Sequence, residues 1–272
     1  MSAAHAELRA ASAEVRPHWW RLLPSRVWTF WVVELYRIRH DRTELYTRAI
    51  QPALWLVIFG ETFNRLRVIP TGGLPYLDYM APGIIAQSGL FIAIFYGIQI
   101  IWERDAGVLA KLLATPTPRV ALVSGKAFAA GLRAAIQSVI VFALSALLGV
   151  SMNWNPLHLA AAVLVVMVGS AFFSTLSMTI AGVVLSRERL MGIGQALTMP
   201  LFFASNALYP VHVMPGWLQA LSVVNPLSYE VEALRGILVG TPANLLLDGL
   251  VLAAALVAGV TASSTLLGRL AR

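Results

Sequence analysis

A chain of 272 residues that is 58% hydrophobic and only 12% charged falls far outside soluble domains, where about 25% of residues carry charge, so a polytopic membrane protein is expected. With no cysteine, disulfides and thiolate metal sites are excluded. The formal net charge of +7 would fit a nucleic-acid binder, but where the basic residues fall along the chain gives it another meaning.

Residues 1–44 read as a cytosolic arm. Within it, residues 17–42 mix Trp19, Trp20, Trp28 and Trp31 with Arg21, Arg26, Arg37 and Arg39, and an amphipathic helix lying in the membrane interface is expected. No compact apolar leader precedes it, so the first span is expected to act as an uncleaved anchor. Windows of about 20 apolar residues place six transmembrane helices near 45–63, 81–101, 124–148, 157–185, 190–209 and 245–267, within one membrane domain over 45–268. The long unbroken runs lack the alternation of a membrane β-barrel, and the fold class is all-α.

In the first span, Arg48 and Gln51 precede Pro52, which should kink it. The loop 64–80, with Pro70, Gly72, Gly73 and Pro75, reads as turn-rich. After the second span comes a charged-then-apolar segment from Glu103 to Pro116. Burying Glu103, Arg104 and Asp105 in hydrocarbon would cost roughly 3 kcal/mol per charge, so the cluster marks an exit from the membrane. Behind it, Val108, Leu109, Leu112 and Leu113 recur at i, i+1, i+4 and i+5, one stripe of a helix expected over 103–114 and stopped by Pro116 and Pro118. Such a helix, about 16 Å long, is too short to stand alone in water and needs a surface: headgroups, its own chain or a partner.

Arg133 lies inside the third span, seven residues after Lys126, where it either marks a pathway or reaches back to the inner surface. Asn153-Trp154-Asn155-Pro156 reads as a tight outer turn and Ser186-Arg187-Glu188-Arg189 as a tight inner one. Residues 200–240 include Pro210, Pro215, Pro226, Glu230, Glu232 and Arg235, too polar to cross and too apolar for a free loop. A re-entrant helical hairpin on the outer side is expected over 210–240. Glu61 and Asp248 fall near the outer face, where water can solvate them, and residues 269–272 form a cytosolic tail. Of the 20 Lys and Arg, all but Arg65, Arg67, Arg133 and Arg235 fall on one side of six alternating spans. That puts both termini in the cytoplasm and makes the basic charge a topology and anionic-lipid signal, with no nucleic-acid partner expected.

The chain offers little chemistry of its own. The nearest approach to a phosphate loop, Ser124-Gly125-Lys126-Ala127, has Val120 in place of the first glycine and Ala127 in place of Ser or Thr. The five histidines are scattered without ligand spacing, Glu103 and Asp105 would diverge on a helix, and there is no Gly-x-Ser-x-Gly elbow. No catalytic or metal-binding residue is therefore assigned. Gln87, Gln99, Gln137, Ser174, Gln195 and Asn206 lie within the spans and either line a substrate path or hydrogen-bond between packed helices.

Three stretches carry a resemblance. They are Trp102-Glu103-Arg104-Asp105-x-Gly107-x-Leu109-x-x-Leu112-Leu113-x-Thr115-Pro116; Leu208-Tyr209-Pro210 with Met214-Pro215-x-Trp217-Leu218; and Asn225-Pro226-Leu227-Ser228-Tyr229-x-x-Glu232-Ala233-Leu234-Arg235. In this order they resemble the permease subunits of ABC-2 type exporters, the group with the daunorubicin-resistance and nodulation lipo-oligosaccharide exporters. Many members carry Thr and Glu where this chain has Val108 and Ala110. The resemblance implies a six-span permease of a bacterial-type plasma membrane, paired with a second permease copy as a homodimer or related heterodimer. It also implies two separate ATPase subunits, which hold the ATP and Mg. Glu103, Arg104, Asp105, Gly107, Val108, Leu109, Leu112, Leu113 and Pro116 would then form the ATPase-coupling helix. Its cargo would be lipophilic or amphipathic (a drug, glycolipid or polyketide) and its direction export. A lipid-directed membrane enzyme would need convergent carboxylates or histidines, and an ion-coupled carrier midplane charges and internal symmetry; neither pattern is evident.

Overall fold

The computed structural model describes residues 19–40, 42–66, 69–115 and 117–270, with side chains placed from Ser25 onward except at Arg26 and residues 42–46. Every regular element among them is helical: α1 (Trp19–His40), α2 (Arg42–Leu54), a π-helical turn (Trp55–Gly60), α3 (Glu61–Leu66), α4 (Tyr76–Asp105), α5 (Val108–Leu113), α6 (Arg119–Leu147), α7 (Pro156–Val184), α8 (Arg187–Phe203), a 3-10 turn (Val211–Val213), α9 (Gly216–Val224), α10 (Pro226–Val239) and α11 (Leu245–Leu270).

Four of these, α4, α6, α7 and α11, are long and apolar enough to cross a membrane. They correspond to the expected spans at 81–101, 124–148, 157–185 and 245–267. The other two expected spans take different forms. Residues 45–63 fall in the continuous path of α2, the π turn and α3. Pro52 has no N–H to donate and crowds the carbonyl four residues earlier, and the helix widens to π geometry directly after it. Residues 190–209 overlap the 17-residue α8, which starts at Arg187, has Pro200 near its end and gives way to a turn after Phe203.

The bundle is built around α7, which packs against α4, α6, α10 and α11. Its close contacts fall at small residues, as in packed membrane helices: Gly97 of α4 lies over Ser177, Gly131 of α6 over the Met167 carbonyl and Gly259 of α11 over Thr175. In α4, 78% of the most apolar window is buried, against 17% in α11, so α4 is the core helix and α11 an outer one. Leu56, Met80, Ile84, Phe173, Phe202 and Leu234 fill one end of the core. Ile98, Ile101, Leu122, Met178, Leu190 and Leu267 fill the other.

The irregular region after Phe203 is fixed by side chains that answer its backbone. Tyr76 and Tyr79 donate to the carbonyls of Leu208 and Asn206, both at 3.1 Å, and the Asn225 amide donates to the Leu201 carbonyl at 2.7 Å. Asn155 and Asn225 each precede a proline at the first helical position and accept from the N–H two residues on, at 3.0 and 3.1 Å, starting α7 and α10. Short helices α9 and α10 occupy the expected hairpin region. Asp248, expected to be solvated, is buried instead, at 1% exposure.

The expected arm helix is present as α1, although the side chains of Trp19 and Trp20 lie outside the described residues. It packs along α6, with Phe30 against Gly125 and with Trp28 and Tyr36 facing outward. Its Glu34 is buried and accepts from Arg133 Nε at 2.7 Å and from the Tyr96 hydroxyl at 2.8 Å. Arg133 thus does not stand alone: a carboxylate from α1 meets it.

Candidate functional site

The charge cluster and the apolar stripe belong to two helices rather than one. α4 runs through the expected exit at Ile101 to Asp105, so Glu103, Arg104 and Asp105 form its last turn. Glu103 pairs with Lys126 of α6. Arg104 grips Asp105 and also donates to the Leu185 carbonyl at 2.9 Å, a cation on the open C-terminal end of α7. The chain then reverses at Gly107, whose φ of 71° belongs to the left-handed region and suits a residue without Cβ. Only Val108–Leu113 remain for α5.

A six-residue helix has no stability of its own, and the stripe explains what holds it. Leu109 is fully buried and joins Ile98, Ile101, Leu122 and Val123 of its own chain, with Leu112 and Leu113 partly buried beside it. Val108 and Leu112 border a groove shared with Phe30 and Val33 of α1. Of the three surfaces expected for the stripe, Leu109 takes its own chain and is spent on internal packing. The exposed side of the segment consists of Asp105, Ala106, Val108, Ala110, Lys111, Ala114 and Thr115. Pro116 lies outside the described residues.

Two adjoining cavities open beside α4. One, of about 490 Å³, is lined by Arg37, Arg48, Phe95, Gln99, Trp102 and Arg133, among others. The other, of about 440 Å³, is lined by Gln51, Gln87, Phe91 and Gln137 and shares Arg48, Ile92 and Phe95 with the first. Gln87 and Gln137 are 1% and 0% exposed, and none of their amide nitrogen and oxygen atoms finds a partner among the described residues. A buried polar group left in that state costs about 1–3 kcal/mol.

Of the six polar residues singled out in the spans, Gln87, Gln99 and Gln137 therefore converge on one cleft bounded by α2, α4 and α6. The others lie elsewhere. Ser174 is buried where α7 faces Gly97, Gln195 is exposed on α8, and Asn206 sits in the turn after α8, its carbonyl taking hydrogen bonds from Tyr79 and Arg235.

Several acidic residues besides Asp248 escaped the sequence reading as internal groups, among them Glu34 and Glu230. Glu34 is the one carboxylate in the aromatic sequence of α1. Glu230 is wholly buried on α10 with its carboxylate against Gly169, where any Cβ would collide with it. Neighbouring Arg235 lies 3.8 Å over the Tyr79 ring and donates to the Asn206 carbonyl at 2.9 Å. That contact ties the third sequence signature to the start of α4.

Long apolar helices packed through small-residue contacts define a multi-pass membrane protein that is all-helical among the described residues. The chain belongs to the ABC-2 type transporter family, whose sequence profile matches residues 25–239, from α1 through α10. It is 33% identical over 201 residues to "Putative transport permease ycf38" of Porphyra purpurea, covering 72% of this chain and 67% of that protein. It is 26% identical over 203 residues to "Daunorubicin resistance ABC transporter permease protein DrrB1" of Streptomyces coeruleorubidus, covering 75% and 71%. With "Nodulation protein J" of Rhizobium meliloti the identity is 26% over 172 residues, covering 62% and 64%. About two thirds of each relative's length is thus matched.

Proposed function

We propose that this chain is the membrane-spanning permease of an ATP-driven exporter, moving a lipophilic or amphipathic substrate out of the cytoplasm or inner leaflet. The ATP and Mg are held by two ATPase subunits on separate chains. Two permeases, identical or related, form the path in a plasma membrane, each crossing it six times with both termini in the cytoplasm and with α9 and α10 re-entrant on the outer side.

The observation that carries this reading is the short helix α5. It is locked to the end of the core helix by Leu109 while Val108, Ala110 and Lys111 stay bare. A rigidly attached helix with an uncovered face is suited to take up motion from another chain and pass it to α4, whose last turn is itself tied to α6 by Glu103 and Lys126 and to α7 by Arg104. Membership of the ABC-2 family supports an ATPase as that other chain. Substrate passage would then follow from two arrangements of the bundle biased by nucleotide on the partner.

The test is co-purification with a candidate ATPase subunit from the same organism. Val108→Asp and Lys111→Glu should lower the recovered ATPase at least tenfold while the permease still reaches the membrane in normal amount. Leu109→Asp should instead deplete the permease itself, since it places a charge in a closed apolar site. Undiminished association and transport in both surface variants would overturn the docking assignment.

A further inference from the structure

We propose that the cavity between α2, α4 and α6 binds an uncharged lipophile through a hydrogen-bond donor and acceptor set side by side, as in a primary carboxamide or a lactam, with Gln87 and Gln137 as the recognising residues. The proposal rests on the transporter reading above and adds the chemical class of its cargo.

Unanswered polar groups give the first reason. Gln87 and Gln137 lie in the wall of the cavity of about 440 Å³, 1% and 0% exposed, and neither end of either amide has a hydrogen-bond partner among the described residues. Ser88, the next residue along α4, is answered: its hydroxyl donates to the Ile85 carbonyl at 2.7 Å. Two facing helices thus each contribute one carboxamide to the same cavity, and both are left open.

Depth gives the second. α4 and α6 run in opposite directions, since Asp78 at the start of α4 meets Ser151 after α6, and Glu103 near the end of α4 meets Lys126 near the start of α6. Gln87 is 11 residues from the start of α4 and Gln137 is 10 from the end of α6, about 16 Å and about 15 Å along their helices. The two amides therefore share one level, near the middle of a hydrocarbon core about 30 Å thick. Hydrocarbon offers an open amide no hydrogen bond, so a ligand that brings its own polar group to this level relieves a cost and is retained for that reason.

The chemistry of the carboxamide gives the third. Each glutamine offers N–H donors beside a carbonyl acceptor, and the group that answers both at once presents an acceptor beside a donor, as an amide with its N–H and C=O on one edge does. An ester answers only the donor. The rest of the wall near the glutamines, with Pro52, Phe91, Ile92 and Phe95, suits a hydrocarbon body, and the volume lies within the usual range for small-molecule sites, about 300–1,000 Å³. Arg48, the charged residue among those lining this cavity, lies 5.7 Å from the Phe95 ring centre and is already engaged, so it is assigned no part in recognition. A charged head between two neutral amides at this depth would lose its hydration without gaining a counter-charge.

Binding can be read as the saturable uptake of radiolabelled decanamide by the full-length chain in phosphatidylcholine nanodiscs. Methyl decanoate, decylammonium, decanesulfonate and acetamide serve as competitors. Unlabelled decanamide is expected to compete at least tenfold better than any of them. Gln87→Met with Gln137→Met, which keeps the length of both side chains and removes their amides, should erase the preference for decanamide over methyl decanoate. Each single substitution should lower that preference on its own, which keeps the test decisive if the double variant fails to accumulate. Methyl decanoate competing as well as decanamide, or a preference unchanged in these variants, would overturn the proposal and leave the glutamines as packing residues. Decylammonium or decanesulfonate competing equally would overturn the uncharged class, and acetamide competing equally would overturn the need for an apolar body. ATPase recovered with each variant is scored separately: a complex that assembles without amide preference sinks only the ligand class, and a permease that prefers decanamide but never recruits ATPase sinks only the exporter reading.

Discussion

Glu34 shows how much a single side chain can organise. It is the buried member of α1 and takes hydrogen bonds from Arg133 on α6 and Tyr96 on α4, so one carboxylate fastens the arm helix to two helices of the bundle. Removing one partner of a buried ion pair costs about 3–5 kcal/mol, whereas replacing both by apolar groups often costs little. Glu34→Ala is therefore expected to lower the thermal unfolding midpoint of the purified protein clearly, and Glu34→Leu with Arg133→Leu to recover much of that loss. Additive losses in the double variant would show that the pair is not coupled. The sequence exposed half of this contact, because an arginine inside an apolar run has a visible cost. Its partner stands 99 residues away, a separation that no local pattern reports. The same holds for Gln87 and Gln137, whose types were readable as path or packing residues but whose convergence on one cleft is a property of the bundle.

At the scale of elements, the long apolar helices were legible because composition and length alone determine them, while the breaks were not. Pro52 predicted a disturbance in the first span but not a π-helical turn, and the 190–209 window hid an end at Phe203 that side-chain hydrogen bonds to the turn make tolerable. The stripe at Val108, Leu109, Leu112 and Leu113 was read as one apolar face, whereas Leu109 is buried and Val108 exposed. Which surface covers it depends on Gly107, which folds α5 back on its own chain. A residue with Cβ in that left-handed conformation costs about 1–2 kcal/mol, and a β-branched one is the least tolerant. Gly107→Val is thus expected to shift the unfolding midpoint by only a few degrees while ATPase recovery falls several-fold, because the helix remains but its exit angle changes. Normal recovery with normal transport would mean that the turn does not set the orientation of α5.

For the whole molecule, the hydrogen bonds sort the chain into two ends. Asp78 at the start of α4 accepts from the Ser151 N–H after α6, Asn64 within α3 accepts from the Tyr76 N–H, and the Asn153 N–H reaches the Leu238 carbonyl of α10. At the opposite end, Arg104 bonds the Leu185 carbonyl, Glu103 pairs with Lys126, and Gly268 of α11 approaches Arg119. This second end also carries most of the basic residues, which under the positive-inside rule supports placing it in the cytoplasm. Because the chain contains no cysteine, single cysteines report position without a background. Pro70→Cys, Trp154→Cys and His212→Cys, at exposed sites of the first end, should react with a membrane-impermeant maleimide in intact cells. Asp105→Cys and Arg189→Cys, exposed at the second, should react only after permeabilisation. Reaction of Asp105→Cys in intact cells would invert the orientation and remove α5 from reach of any cytoplasmic ATPase. Protection of His212→Cys alongside labelled Trp154→Cys would instead mean that α8 returns to the cytoplasmic side without crossing, which would take one span from the six and turn α9 and α10 inward.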